Sequence, residues 1–217
     1  MTNTPAEPGQ YPGINPDTDA REEYILGQPP RLPSLTPDER SERQQQLLES
    51  FATIVVDGEL RERSDKDSIE IMLRHPELYQ AHINVAQKFL SDGEMTSRDR
   101  ELAILRIAWL SQAPFEWGAH VDIAKRVGVS AQEIQWLIEG ALASGWNKHD
   151  RAIVRAAEEL HFDSMIADET WAALEEFFND KQLIELVILA GQYKTVAYYQ
   201  NCLRFRLPES NRGLAAR

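Results

Sequence analysis

The sequence predicts an all-α protein, a single helical domain of about eight helices. Three observations carry this expectation. Apolar residues recur at helical spacing through most of the chain beyond residue 36. Capping boxes stand at Thr36-Pro37-Asp38-Glu39 and at Ser130-Ala131-Gln132-Glu133. No segment alternates apolar and polar residues for long enough to require a sheet. The polar linkers are short, and 217 residues suffice for one substantial core, so one domain is expected.

Residues 1–30 are rich in Pro, Gly, Asn and Asp and lack periodicity. They read as an extended N-terminal arm, disordered or wrapped on a partner subunit through Tyr11, Tyr24, Ile25 and Leu26. The helical domain is expected over 31–207. Its first helix opens at Thr36 and runs to about Val56 on the stripe Leu47, Leu48, Phe51, Ile54 and Val55, and Asp57-Gly58 ends it. A polar loop and a short turn, Ser68 to Arg74, lead to Pro76, which opens a helix well but cannot continue one. That helix carries His82 within its apolar stripe, which suits a core or interface residue. Two helices follow, from Ser97 and from about Pro114, then one from Ser130 with Ile134, Trp136, Leu137 and Ile138. The next starts over Asn147 to Asp150 and ends at His161, where a cation suits the helix dipole. Asp168 caps another. The last, from Asp180 to about Phe205, is apolar nearly all round, which suits a central or subunit-interface helix. Its polar residues include Tyr193 and Asn201. Residues 208–217 read as a frayed tail.

Composition narrows the function. The formal charge of −12, from 23 basic and 35 acidic residues, disfavours nucleic acid and anionic membrane as partners. The single cysteine, Cys202, rules out an intramolecular disulfide, a CxxC centre and a cysteine zinc cluster. It lies in an apolar run, so a buried inert thiol is expected. The N-terminus has no basic start and no apolar core of a signal peptide, and apolar runs are too short for a membrane span, so a cytoplasmic location is expected. No phosphate-binding glycine motif, zinc motif or nucleophile elbow occurs, so neither cofactor nor metal is expected.

One stretch, Ser97 to Glu139, combines acids, a histidine and aromatic residues on an apolar framework. Glu116 and His120 stand four apart and share a helix face. They form either an acid–base unit or a surface ion pair. Phe115, Trp117, Val121 and Ile123 flank them, and the helix N-terminus favours an anion nearby. Glu101 lies on the preceding helix between Arg98 and Arg100, so an arginine ion pair is its alternative role. Simple antiparallel helices would leave Glu101 and His120 about 9 Å out of step along the axis. Crossing helices, a water or a neighbouring subunit would have to close that gap.

Three pieces of this stretch, RDRELAILR (98–106), FEWGAH (115–120) and GVSAQEI (128–134), resemble the carboxymuconolactone decarboxylase family, which includes the alkyl hydroperoxide reductase D proteins. A looser resemblance extends over Leu32 to Leu207. It implies an AhpD-like helical fold that is an obligate homo-oligomer: a trimer, a dimer of trimers or a dimer. In the peroxidase branch a glutamate precedes C-x-x-C-x-x-x-H, with glutamate and histidine 19 apart. Glu101 and His120 keep that separation, 120 − 101 = 19, while the two cysteine positions fall on Ala113 and Glu116. Disulfide exchange needs a thiolate and a second sulfur, so peroxidase chemistry of this type is disfavoured. The resulting expectation is a cofactor-independent lyase, decarboxylase or isomerase acting on a small carboxylated or lactone-type molecule. His120 is its general acid/base, Glu116 orients it or serves as a second acid/base, and Glu101 relays a proton. Trp117, Arg106 and Tyr193 line the pocket. The alternative is a non-catalytic oligomeric protein that binds small molecules on the same fold.

Overall fold

The computed structural model describes residues 14–217. Among these, ten α-helices and one β-hairpin run in the order α1 (Thr18–Leu26), α2 (Glu42–Ser50), β1 (Thr53–Val56), β2 (Glu59–Glu62), α3 (Lys66–Met72), α4 (Pro76–Asp92), α5 (Ser97–Leu110), α6 (Pro114–Arg126), α7 (Ala131–Glu139), α8 (Lys148–Asp163), α9 (Asp168–Glu175) and α10 (Asp180–Leu203). Short 3₁₀ turns occupy Pro37–Glu39 and Gly213–Ala215. No helix among the described residues is long and apolar enough to cross a membrane.

The main core forms around α5, whose residues from Asp99 to Leu110 are all buried. It packs on α6, α7, α8 and α10. Side-chain caps set the helix starts. Thr96 accepts from the Asp99 amide, Ser130 from Glu133, Asn147 from Asp150, and Asn179 from Lys181 and Gln182. Pro76 and Pro114 sit in first turns, where a missing N–H costs nothing. Helix α10 buries Leu186, Leu189, Tyr193 and Ala197 but leaves Ile184, Val187, Ile188 and Tyr198 exposed as a stripe. Within its own chain the helix thus buries one side and leaves the other exposed, and of the two placements the sequence suggested, central or at a subunit interface, only the buried side fits the first.

The segment expected as one helix from Thr36 to Val56 divides in three. Thr36 caps only the 3₁₀ turn. A second box, Ser41 with Gln44, starts α2. Beyond Ser50, the β-branched run Thr53-Ile54-Val55-Val56 pairs antiparallel with Glu59–Glu62. Asp57 and Gly58 close the hairpin at φ of 52° and 80°, the left-handed pair that a two-residue hairpin turn requires. The expected loop after residue 58 is thus a strand.

Both chain ends are more ordered than the sequence suggested. The stretch read as an extended arm holds α1, while Tyr11 lies outside the described residues. Helix α1 rests on its own chain: Arg21 Nε donates to the Gln112 carbonyl at 3.4 Å, and Arg206 Nη1 donates to the Leu26 carbonyl at 2.6 Å. The tail expected to fray is anchored. Leu214 and Ala216 are buried, the Ala216 carbonyl accepts from Trp117 Nε1 at 3.1 Å, and Asn211 Nδ2 donates to the Phe115 carbonyl at 2.8 Å. Cys202, expected to be buried, is exposed.

Gly118 lets the tail approach α6. A Cβ there would stand 1.8 Å from Asn211 Oδ1 and 2.8 Å from the Gly213 amide nitrogen. Gly118→Ala is therefore expected to lift the tail at a cost of about 1–3 kcal/mol. Thermal melting and limited proteolysis at Arg212 check this: a variant that melts as the original does and resists cleavage would refute it.

Candidate active site

The α5–α6 pair brings Glu101 and His120 into direct contact. His120 Nδ1 lies 2.6 Å from Glu101 Oε2. Its other nitrogen, Nε2, lies 3.0 Å from Glu116 Oε1. The axial offset expected from ideal antiparallel helices is thus closed within one chain, without a water or a second subunit. The tight connection at Ser111–Ala113, with Gln112 at φ 45°, allows the close approach.

The pair extends into a longer chain of charges. Arg100 Nε donates to Glu101 Oε1 at 3.0 Å, and Arg100 Nη1 reaches Asp57 Oδ1 at 3.0 Å. At the other end Gln200 Nε2 donates to Glu116 Oε2 at 2.7 Å. The order is Asp57, Arg100, Glu101, His120, Glu116, Gln200, running from the hairpin turn to α10. Glu101 is 0% exposed, so an isolated carboxylate there would be costly, and its two cationic partners offset that cost. Both expected partners of Glu101, an arginine and His120, are present together.

This setting decides the protonation of His120. Burial favours the neutral ring, but the Glu101 and Glu116 carboxylates, by charge and by hydrogen bonding, outweigh it and raise the pKa to about 10. At neutral pH His120 is an imidazolium donating to both carboxylates. Burial, Glu116 and Glu101 together push the Tyr193 phenol well above its ordinary pKa, so it stays neutral. The Tyr193 ring stands edge-on to His120, at 5.1 Å between centroids and 87° between planes.

Glu116, His120 and Tyr193 line a cavity of about 360 Å³. Its walls include His82 of α4, Phe115 of α6, Tyr199 and Gln200 of α10, and Arg61 and Arg63 from β2 and the segment after it. The ring of His82 meets Tyr199 edge-on at 5.3 Å, and burial lowers its pKa against the pull of Glu116. Arg63 is held by Asp65, with Nε–Oδ1 at 2.9 Å.

Two expected pocket residues, Trp117 and Arg106, fall elsewhere, while Glu101 touches His120 from outside the cavity. Glu101 stands behind His120 and does not reach the cavity, so it positions the ring. Trp117 is 0% exposed, packs on Trp109 and holds the tail through Ala216, because its face of α6 turns to the core. Arg106 lies five residues beyond Glu101, on another side of α5. It binds Glu158 at 3.0 Å and the Leu137 carbonyl at 2.7 Å, tying α5 to α8 and α7. Asn201, singled out in α10, bonds the Ser111 and Gln112 carbonyls. Its neighbour Gln200 is the residue that reaches the site. Gln200 lies seven after Tyr193, two helical turns on, and that spacing was the available signal. Asp57 carried no signal beyond its place in an Asp-Gly pair.

Away from this site, Asp99, His149 and Asp150 bring ligand-type atoms within 4.8 Å of one another. Arg98 already holds both Asp150 oxygens at 2.8 Å, which makes the group an ion-pair network.

Comparisons with known proteins agree with this architecture. Residues 76–159, from α4 into α8, match the carboxymuconolactone decarboxylase family. No curated protein sequence matches the chain. Among solved structures, the AhpD core of a peroxidase-related protein from Ralstonia eutropha is similar at TM-score 0.65 and 15% identity, over 83% of this chain and 93% of that one. A peroxidase-related protein from Silicibacter is similar at TM-score 0.64 and 12% identity, over 82% and 93%. The debrominase Bmp8 in complex with 2,3,4-tribromopyrrole is similar at TM-score 0.61 and 12% identity, over 83% and 92%. The segment 76–159 therefore belongs to the carboxymuconolactone decarboxylase family, and the chain around it has the all-α AhpD-like fold.

Proposed function

We propose that the protein is a cofactor-independent lyase or isomerase that moves a proton at carbon in a small carboxylated or lactone-type substrate. The observation that carries this reading is His120, clamped at 2.6 and 3.0 Å between two buried carboxylates on a cavity wall. An acid held near pKa 10 gives up its proton poorly to water or to a carboxylate. It gives it up readily to an enolate or carbanion, which is far more basic. In a decarboxylation, the bond between substrate carbon and carboxylate breaks, carbon dioxide leaves, and the electron pair stays as an enolate conjugated with the lactone carbonyl. The proton that quenches it comes from His120 Nε2 on the cavity wall, and Glu116, which accepts from that nitrogen, orients the ring. Gln200 holds Glu116 in register for this transfer, and Tyr193 supplies a neutral hydroxyl. Arg61, paired with Glu59, and Arg63, paired with Asp65, are the guanidinium groups of the same wall that a substrate carboxylate would have to share.

Two alternatives bear on this reading. A buried Glu101–His120 ion pair would serve a non-catalytic binding protein as well, and it is the placement of Glu116 and His120 on the cavity wall that favours the enzyme. A dithiol peroxidase cycle within one chain needs two sulfurs, and the sequence has only Cys202. The homo-oligomer implied by the family resemblance remains part of the proposal, supported by the exposed Ile184 and Ile188 of α10.

Turnover on a panel of lactone acids tests the assignment. His120→Gln and Glu116→Gln are each expected to lower kcat by about 10²–10⁴-fold. Unchanged turnover in both variants would refute the catalytic roles.

A further inference from the structure

Helix α10 separates two cavities. Tyr193, Val196 and Gln200 face the one that holds His120. On another side of the helix, Val187, Gly191, Lys194 and Tyr198 line a second cavity of about 290 Å³. Ala190 and Thr195 of the same helix, Ile107 of α5, and Leu160, His161 and Ser164 around the end of α8 complete it. Most of this wall is apolar. A Cβ added at Gly191 would meet no atom within 4 Å, so the glycine leaves open space there.

The polar content is unusual for so acidic a chain. Lys194 Nζ lies 3.0 Å from His161 Nδ1. Lys66, Lys88, Lys148 and Lys181 each have a carboxylate within 4.0 Å, but Lys194 has none among the described residues. Its other neighbour is the Tyr198 ring, 5.4 Å from Nζ to the centroid. Burial lowers the pKa of Lys194. Burial, then the charges of Lys194 and Arg106, lower His161 to about 4. The histidine expected to serve as a cation at the end of α8 is therefore neutral at pH 7, and among the described residues the only charge lining this cavity is an ammonium with no carboxylate within 4.0 Å.

A half-buried ammonium gains most from an anion that brings its own apolar surface. Single charge on the wall suits a monoanion, and the apolar floor suits a hydrocarbon body. We propose that this second cavity binds a small apolar monocarboxylate, with its carboxylate on Lys194 Nζ and its body against Ile107, Leu160, Val187 and the open space at Gly191. The site does not depend on the reaction proposed for the His120 cavity.

Hexanoate and its neutral isostere hexanamide test this, with the His161 ring resonances as a local reporter. Hexanoate is expected to shift them saturably, at least ten-fold more tightly than hexanamide. Lys194→Met is expected to remove that difference. Gly191→Val, which fills the cavity with Lys194 intact, is expected to abolish the response to both probes. Thermal melts establish that each variant is folded. Equal affinity for acid and amide would overturn the proposal, as would a response at His120 with none at His161, or an unchanged hexanoate response in Lys194→Met. A fall in the particle mass of Lys194→Met by light scattering would also overturn it, because the counter-ion would then belong to a second copy of the chain.

Discussion

His120→Leu is expected to destabilise the protein by about 3–5 kcal/mol in urea unfolding at pH 7. The loss comes less from the missing contacts than from what remains. Glu101, 0% exposed, keeps Arg100 as a partner, but Glu116, 4% exposed, is left with only the neutral amide of Gln200. A buried carboxylate without a cation must be protonated or must drag water in. Adding Glu116→Gln to His120→Leu is therefore expected to recover part of the loss, although it removes a second native side chain. That recovery separates an orphaned charge from a mere cavity. A cost below about 1 kcal/mol for His120→Leu, or no recovery in the double variant, would show that His120 is not the cation of this network.

The chemistry of the network was more legible in the sequence than its surroundings. The separation of 19 between Glu101 and His120, and the four-residue step from Glu116, pointed to all three residues of its centre. The helix starts at Ser130 and Asn147 were legible because a cap is a local event, a side chain bonding its own chain three residues on, whereas Asp168, read as a cap, follows the N-cap Ala167 and makes no such bond. The errors lie where partners are distant in sequence. Trp117 and Arg106 were placed by proximity to the motif, but a helix turns 100° per residue, and their faces meet the tail and α8 instead. The hairpin was missed because Ile54 and Val55 also fit a helical stripe. Asp57-Gly58 marked both a helix end and a hairpin turn, and only the pairing of Val56 with Glu59 decides between them. The tail has no periodicity of its own, and it is ordered by α6 and by α1, partners 96 to 192 residues away in sequence.

Raising the pH from neutral is expected to weaken the fold through His120 before tyrosine ionisation takes over. The His120 pKa rises from 6.5 to about 10 on folding. Its stabilising contribution is therefore full below about pH 6.5 and is lost as the pH rises through 10, where the folded ring gives up its proton. Between those values one bound proton distinguishes the folded from the unfolded state, a slope of about 1.4 kcal/mol per pH unit. The acid side runs the other way. His161 falls to about 4 on folding, and burial lowers His82 as well. Both therefore cost stability as the pH falls below 6.5, where the unfolded chain takes up protons that the fold refuses. The stability curve should thus have an alkaline limb owed to His120 and an acid limb owed in part to His161. Chemical denaturation at half-unit steps from pH 5 to 10 resolves the two. His120→Gln should flatten the slope above pH 6.5 and leave the acid limb, whereas His161→Gln should soften the acid limb and leave the alkaline one. An alkaline slope that persists in His120→Gln would mean that another group carries the proton, and that His120 does not sit as an imidazolium between Glu101 and Glu116.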